Sequence, residues 1–177
     1  MIRAVILLLL VLVQISCTSI PEGIKPVDNF EVSRYLGTWY EIARLDHSFE
    51  RGLSNVTAEY SLRDDGGIRV VNRGFSREKG DWRQAEGKAY FVDGKQHAHL
   101  KVSFFGPFYS SYVVFELDEA GYEYAFVSGY NHDYLWLLAR SPQISDDVMQ
   151  AFIQTAKEKG YNLDDLIIVS HGKAHTP

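Results

Sequence analysis

From residue 37 onward, apolar and polar side chains alternate with a period of two, in short runs separated by turn residues. That period is the signature of strands with one buried face. The runs at 37–45, 56–62, 68–75, 82–91, 97–104, 112–117, 122–128 and 134–140 each predict a strand. In 56–62, Val56, Ala58, Tyr60 and Leu62 share one face, with Thr57, Glu59 and Ser61 opposite. Asp64-Asp65-Gly66-Gly67 then supplies a hairpin turn. The next strand sets Ile68, Val70, Asn72 and Gly74 against Arg69 and Arg73, and the one after it sets Ala85, Gly87, Ala89 and Phe91 against Gln84, Glu86 and Lys88. In 97–104, Ala98, Leu100, Val102 and Phe104 alternate with His97, His99, Lys101 and Ser103, which predicts a solvated outer face for the latter set. The 112–117 run is apolar on both faces, which leaves its orientation open. Strands in simple succession, joined by short turns, predict an all-β fold, an eight-stranded antiparallel up-and-down β-barrel. The period then changes. Ser145 can cap a helix with Asp146 and Asp147 in its first turn, Val148, Phe152 and Ala156 on one face, and Gly160 at its end. One C-terminal α-helix packed outside the barrel follows, then a short ninth strand near 166–169 and a polar, flexible tail at 171–177.

The barrel pattern organises the candidate residues. Gly37 can bend the chain as it enters the sheet, and Trp39 is large enough to close the floor of a cup, with Arg140 across it. Glu41 shares the Trp39, Ala43 and Leu45 face by strict alternation, so it points inward and needs a partner there. Val56, Ala58, Tyr60, Ile68, Val70, Leu100, Val102 and Phe104 form the inner wall, with Tyr112 and Trp136 as aromatic additions. The same residues could instead fill a solid core. Loops after the first and fifth strands fall at one end, which makes Phe49, Arg51, Phe108 and Tyr109 mouth candidates.

The N-terminus adds a separate element. Residues 1–16 hold one charge, Arg3, and an unbroken apolar run at 4–13, too short for a bilayer span of about 20 residues. They read as a secretory signal ending at Ser16, immediately before Cys17. Cys17 is either incidental or the site of lipid attachment. Residues 17–29 hold two prolines and a glycine, the composition of a tether. As the only cysteine, Cys17 excludes an intrachain disulfide, a cysteine zinc site and a cysteine nucleophile in the folded domain. The net charge of −5 argues against nucleic acid as a partner. Aromatics reach 14% of the chain, which suits strands and apolar cavity walls. No Ser/His/Asp set has recognisable local context, and no metal site and no cofactor are expected.

Gly37-x-Trp39, the strand succession, the late Arg140 and the single helix together resemble the lipocalin family over residues 30–170. Where that family often carries Thr-Asp-Tyr, this chain has Leu117-Asp118-Glu119. The runs 34–44, 60–67, 101–109 and 133–136 are similar to the bacterial outer-membrane lipoprotein branch of the family, and Ile15-Ser16-Cys17 resembles the end of its lipid-attachment signal, with Gln14 where leucine is usual. The resemblance implies removal of 1–16, acylation of Cys17 and a domain on the outer membrane, facing the periplasm. It implies a non-enzymatic protein that binds fatty acids or lysophospholipids for lipid storage, transport and envelope maintenance. A lipocalin-fold enzyme using Glu41 or a histidine, or a haem or tetrapyrrole carrier, is the alternative. The sequence itself leaves the oligomeric state open, and an exposed aromatic cluster at the mouth could support a homodimer.

Overall fold

The computed structural model describes residues 18–172. A single turn of helix, α1 (Val32–Tyr35), leads into β1 (Gly37–Leu45), β2 (Leu53–Leu62), β3 (Ile68–Ser76), β4 (Asp81–Phe91), β5 (His99–Ser103), β6 (Ser110–Leu117), β7 (Tyr124–Ser128) and β8 (Leu135–Ala139). Helix α2 (Asp146–Glu158) and a short β9 (Leu166–Ile168) follow. Strands β2 through β8 are neighbours in chain order, β1 joins β8, and β1 also pairs with β2, so the sheet closes into an antiparallel eight-stranded barrel. Closure removes the exposed edges that such a sheet would otherwise carry. The first half of β1 pairs with β2 from Gly37↔Tyr60 to Tyr40↔Thr57, whereas its last residues pair with β9. The floor end holds the start of β1 and the β2–β3, β4–β5 and β6–β7 turns. The opposite end is the mouth, formed by the loops 46–52, 77–80, 104–109 and 129–134.

One irregularity decides what lies inside. The β1–β8 register runs Tyr40↔Ala139, Glu41↔Leu138 and then Ala43↔Leu137, a bulge that shifts the alternation by one residue. Trp39 and Glu41 point inward, and so does Arg44, opposite Trp136. Ala43 and Leu45 turn outward and pack with Phe152 of α2. This corrects the expectation that Ala43 and Leu45 share the Trp39 face.

The apolar double face of β6 has a direct cause. Tyr112 and Val114 face the interior, and Val113 and Phe115 lie outside under α2 and Tyr161. A strand covered on both sides loses the polar half of its pattern. Ser145 caps α2 by accepting from the Val148 amide at 3.4 Å, and Phe152 and Ala156 are its fully buried residues.

Two other expectations change. The 18–29 segment, read as a tether, lies docked along the outside of β5 and β6. Ile24 and Phe30 are buried, the Val27 amide donates to the Val114 carbonyl, and the Ala98 amide donates to the Val27 carbonyl. Ile20, Ile24, Val27 and Phe30 supply enough spaced apolar area to hold the segment, despite its prolines. Of the expected solvated set, His97 is exposed and Lys101 partly so, whereas His99 and Ser103 are buried. His99 is buried, with Nδ1 3.0 Å from Asp93 Oδ2 and Nε2 3.3 Å from Ser111 Oγ. The first two residues of the expected tail are also held: His171 Nε2 lies 2.7 Å from the Glu41 carbonyl, and the Gly172 amide donates to Asn55 Oδ1.

Candidate functional site

The floor is a stack of three groups. Trp39 is fully buried, with the Arg140 guanidinium 4.0 Å from its ring centroid and the Tyr35 ring 4.6 Å away. Its indole nitrogen donates to the Tyr35 carbonyl at 2.8 Å. Arg140 donates to the carbonyls of Thr38, Arg34 and Tyr122, so one side chain joins β1, α1 and the β6–β7 turn. Gly37 has φ +90°, and a Cβ there would sit 3.6 Å from Arg140 Nη1. Positive φ is what the position demands of its residue. In the β6–β7 turn, Asp118 Oδ2 accepts from the amides of Gly121 and Glu123.

Above the floor, Ala58, Tyr60, Ile68, Val70, Leu100, Val102, Phe104, Tyr112 and Trp136 belong to one interior cluster with Trp39. Val56 is buried on the same face of β2. Ala58, Val102, Phe104, Tyr112 and Trp136 face inward yet stay partly exposed. Gly87 lets the Phe104 ring lie against the wall, where a Cβ would meet Phe104 Cδ1 at 2.8 Å.

Two polar groupings interrupt this apolar wall. The first is a tyrosine triad. Tyr112 Oη lies 2.7 Å from Tyr35 Oη and 2.9 Å from Tyr60 Oη. Three hydroxyl protons serve two hydrogen bonds, so one O–H donor remains for a third party. Burial pushes all three phenols upward, so they stay neutral donors.

The second grouping lies nearer the mouth. Arg44 Nη1 donates to Glu41 Oε1 at 2.6 Å and Nη2 donates to the Glu50 carbonyl at 2.8 Å. Trp136 Nε1 donates to Glu50 Oε2 at 3.2 Å, and His47 Nε2 lies 3.2 Å from the same oxygen without the alignment of a hydrogen bond. Glu41, Arg44, His47 and Glu50 are all buried. Burial, and then the charge of Glu50, hold the Glu41 carboxyl well above the usual range, with Arg44 opposing. Burial also raises Glu50, against the hydrogen bond from Trp136 and the charge of Arg44. One guanidinium faces two buried carboxyls that are both raised, so the pair as a unit favours retaining a proton. Burial and the neighbouring Arg44 push His47 down to about 4, so its imidazole is neutral at pH 7.

The rim is aromatic. His47 stacks on Phe49 with centroids 4.0 Å apart, and both rings stack toward Tyr134. Arg51 is tied to Asp46 by two hydrogen bonds. Phe108 and its neighbour Phe105 project from the 104–109 loop, 74% and 82% exposed, while Tyr109 receives Lys101 over its ring. Arg44, His47 and Glu50 were not among the expected interior residues. The polar loop 46–55 signals them only once the β1 bulge is known. Cys17 lies outside the described residues. Among the described residues, no group of three or more His, Cys, Asp or Glu is placed to hold a metal ion.

Comparison with known proteins adds the family. The lipocalin-like domain matches residues 30–171. The chain belongs to the lipocalin family. It is 59% identical to outer membrane lipoprotein Blc of Vibrio cholerae, over 94% of this chain and 98% of that protein. It is 54% identical to outer membrane lipoprotein Blc of Escherichia coli K12, over 84% of each. These similarities place the chain among the outer-membrane lipoproteins of the family, which is generally one of binding proteins rather than enzymes. In fold, the lipocalin barrel superposes on insecticyanin from the tobacco hornworm Manduca sexta with a TM-score of 0.70, at 20% identity and 88% coverage of both chains.

Proposed function

We propose that this lipocalin, acylated at Cys17 and held on the outer membrane, carries one single-chain amphipathic lipid in its cup, a fatty acid or a lysophospholipid. Its role would be lipid storage, transport and envelope maintenance. The observation that carries the reading is the partly exposed inward face of Ala58, Val102, Phe104, Tyr112 and Trp136 above a closed floor. An eight-stranded barrel has room for one small ligand. Ten buried methylenes contribute roughly 8 kcal/mol gross. Immobilising the lipid offsets several kcal/mol of that, which leaves micromolar affinity.

The hydrogen-bond pattern supports a tail-first pose. Arg44 already donates to the Glu41 carboxyl and to the Glu50 carbonyl, so an anionic headgroup gains no free cation by going deep. A carboxylate or phosphate head stays at the wet mouth, beside the rim residues Phe49, Arg51, Phe108 and Tyr109. Displacement of a fluorescent fatty acid by oleic acid or by lysophosphatidylethanolamine tests this. Micromolar displacement is expected, abolished by Val102→Trp, which fills the lumen, with the fold retained. Absence of displacement by either lipid at micromolar concentration would overturn the reading.

A further inference from the structure

The path of the N-terminal segment places the anchor at a particular end of the barrel. At the floor end, the Phe30 amide donates to the Gln96 carbonyl in the β4–β5 turn. Moving toward the N-terminus, Val27 bonds to Val114 and Ala98, and Ile24 packs on the outer wall. Ser19 then reaches the mouth. Its hydroxyl donates to the Tyr130 carbonyl at 3.2 Å in the β7–β8 loop, and its own carbonyl accepts from Ser111 Oγ at 2.7 Å near the start of β6. Cys17 precedes Ser19 by two residues, a reach of about 7 Å at the fully extended limit. An anchor joined to the chain just ahead of Ser19 therefore tethers the mouth end of the barrel, where Ser19 is held, and not the floor end.

The rim has the surface such a position requires. Phe49, Phe105 and Phe108 are each more than 60% exposed and project from two mouth loops. Residues 102–115, which contain the loop with two of them, include no charged side chain. At the floor end the exposed large apolar residues are aliphatic, Leu62 and Val92. The floor turns carry Asp64, Asp65, Asp93, Asp118, Glu119 and Glu123 against Arg63 and Lys95, whereas the mouth loops carry Asp46, Glu50, Glu78 and Asp133 nearly balanced by Arg51, Arg77 and Lys79. Aromatic side chains favour the boundary between headgroups and acyl chains, whereas carboxylates avoid an anionic lipid surface.

We propose that the barrel stands mouth-down on the bilayer that holds its own anchor, with the 46–52 and 104–109 loops docked in the headgroup layer. This rests on acylation of Cys17, as in the function proposed above. In this pose a lipid leaves the leaflet and enters the cup directly, tail first, without crossing bulk water.

Hydrogen exchange read by mass spectrometry tests the orientation. The acylated mature chain on vesicles of phosphatidylethanolamine and phosphatidylglycerol is compared with the Cys17→Ser chain in buffer. Exchange in 46–52 and 104–109 is expected to slow at least fivefold on the vesicles, with 63–67 and 118–123 unchanged. Slowing at the floor turns, or equal exchange at both ends, would overturn the proposal. Mouth loops already protected in buffer would identify a second copy of the chain as their occupant, and would overturn it too. If Cys17 carries no acyl group in cells, the anchoring part of the proposed function fails. Coupling its thiol to a maleimide lipid then recreates the same attachment, and the same exchange pattern decides the orientation by itself.

Discussion

Trp39→Ala removes the centre of the floor stack, and its cost can be worked from the contacts. A fully buried tryptophan truncated to alanine costs about 4 kcal/mol in lost burial and residual cavity. The guanidinium of Arg140, 4.0 Å above the ring, loses a cation–π contact of about 1 kcal/mol. The Tyr35 carbonyl also loses its 2.8 Å donor, inside a region with little water. A total near 5 kcal/mol converts to a fall in Tm of about 15 °C for a domain of this size. Ligand affinity is expected to change less than threefold at 20 °C, because the proposed acyl site lies on the wall above. Thermal unfolding followed by circular dichroism gives the first quantity and fluorescent fatty-acid displacement the second. An unchanged Tm with lost affinity would refute the assignment of Trp39 to scaffold.

Four other outcomes follow from the same geometry. Because Glu41 is raised in the fold, its contribution to stability is present at low pH and lost as pH rises through its folded pKa. Glu41→Gln, which keeps an acceptor for Arg44, should therefore gain on the parent more at pH 8 than at pH 4.5 in urea unfolding, and a constant difference would contradict this. His47 has the opposite sign: lowered from 6.5 to about 4, it withdraws up to about 3 kcal/mol as pH falls across that window, and His47→Gln should flatten the fall in urea midpoints there. Tyr112→Phe strips Tyr35 and Tyr60 of their shared partner and should cost about 1–3 kcal/mol in urea unfolding. Cys17→Ser should move the protein from the membrane pellet to the soluble fraction on cell fractionation, with the thermal unfolding of the domain unchanged.

Much of the barrel was legible because alternation is a local property. Val56 to Leu62 and Ile68 to Gly74 declare their inner faces without help from the rest of the chain, and Ser145 with Gly160 brackets α2. Gly37, Trp39 and Arg140 announced a floor that the structure builds from those residues. What escaped was non-local. The bulge after Glu41 exchanges Ala43 for Arg44 at the inner wall, and a strict period of two has no way to encode the extra residue. Glu50 and His47 are drawn inside by Arg44 and Trp136, so their burial depends on that same slip. His99 reads as solvated until residues 18–30 are laid over it, and those residues read as a tether until a complementary apolar strip exists for them. Local pattern fixes faces and turns, whereas cover from distant segments decides which polar residues end up buried.

The central claim is that the cup holds one single-chain lipid. Native mass spectrometry of the acylated protein purified from its own membrane, followed by solvent extraction of the released ligand, tests it directly. One bound fatty acid or lysophospholipid per barrel is expected, with occupancy lost in Val102→Trp. A ligand of another class, or an empty cup that takes up neither lipid on addition, would contradict it.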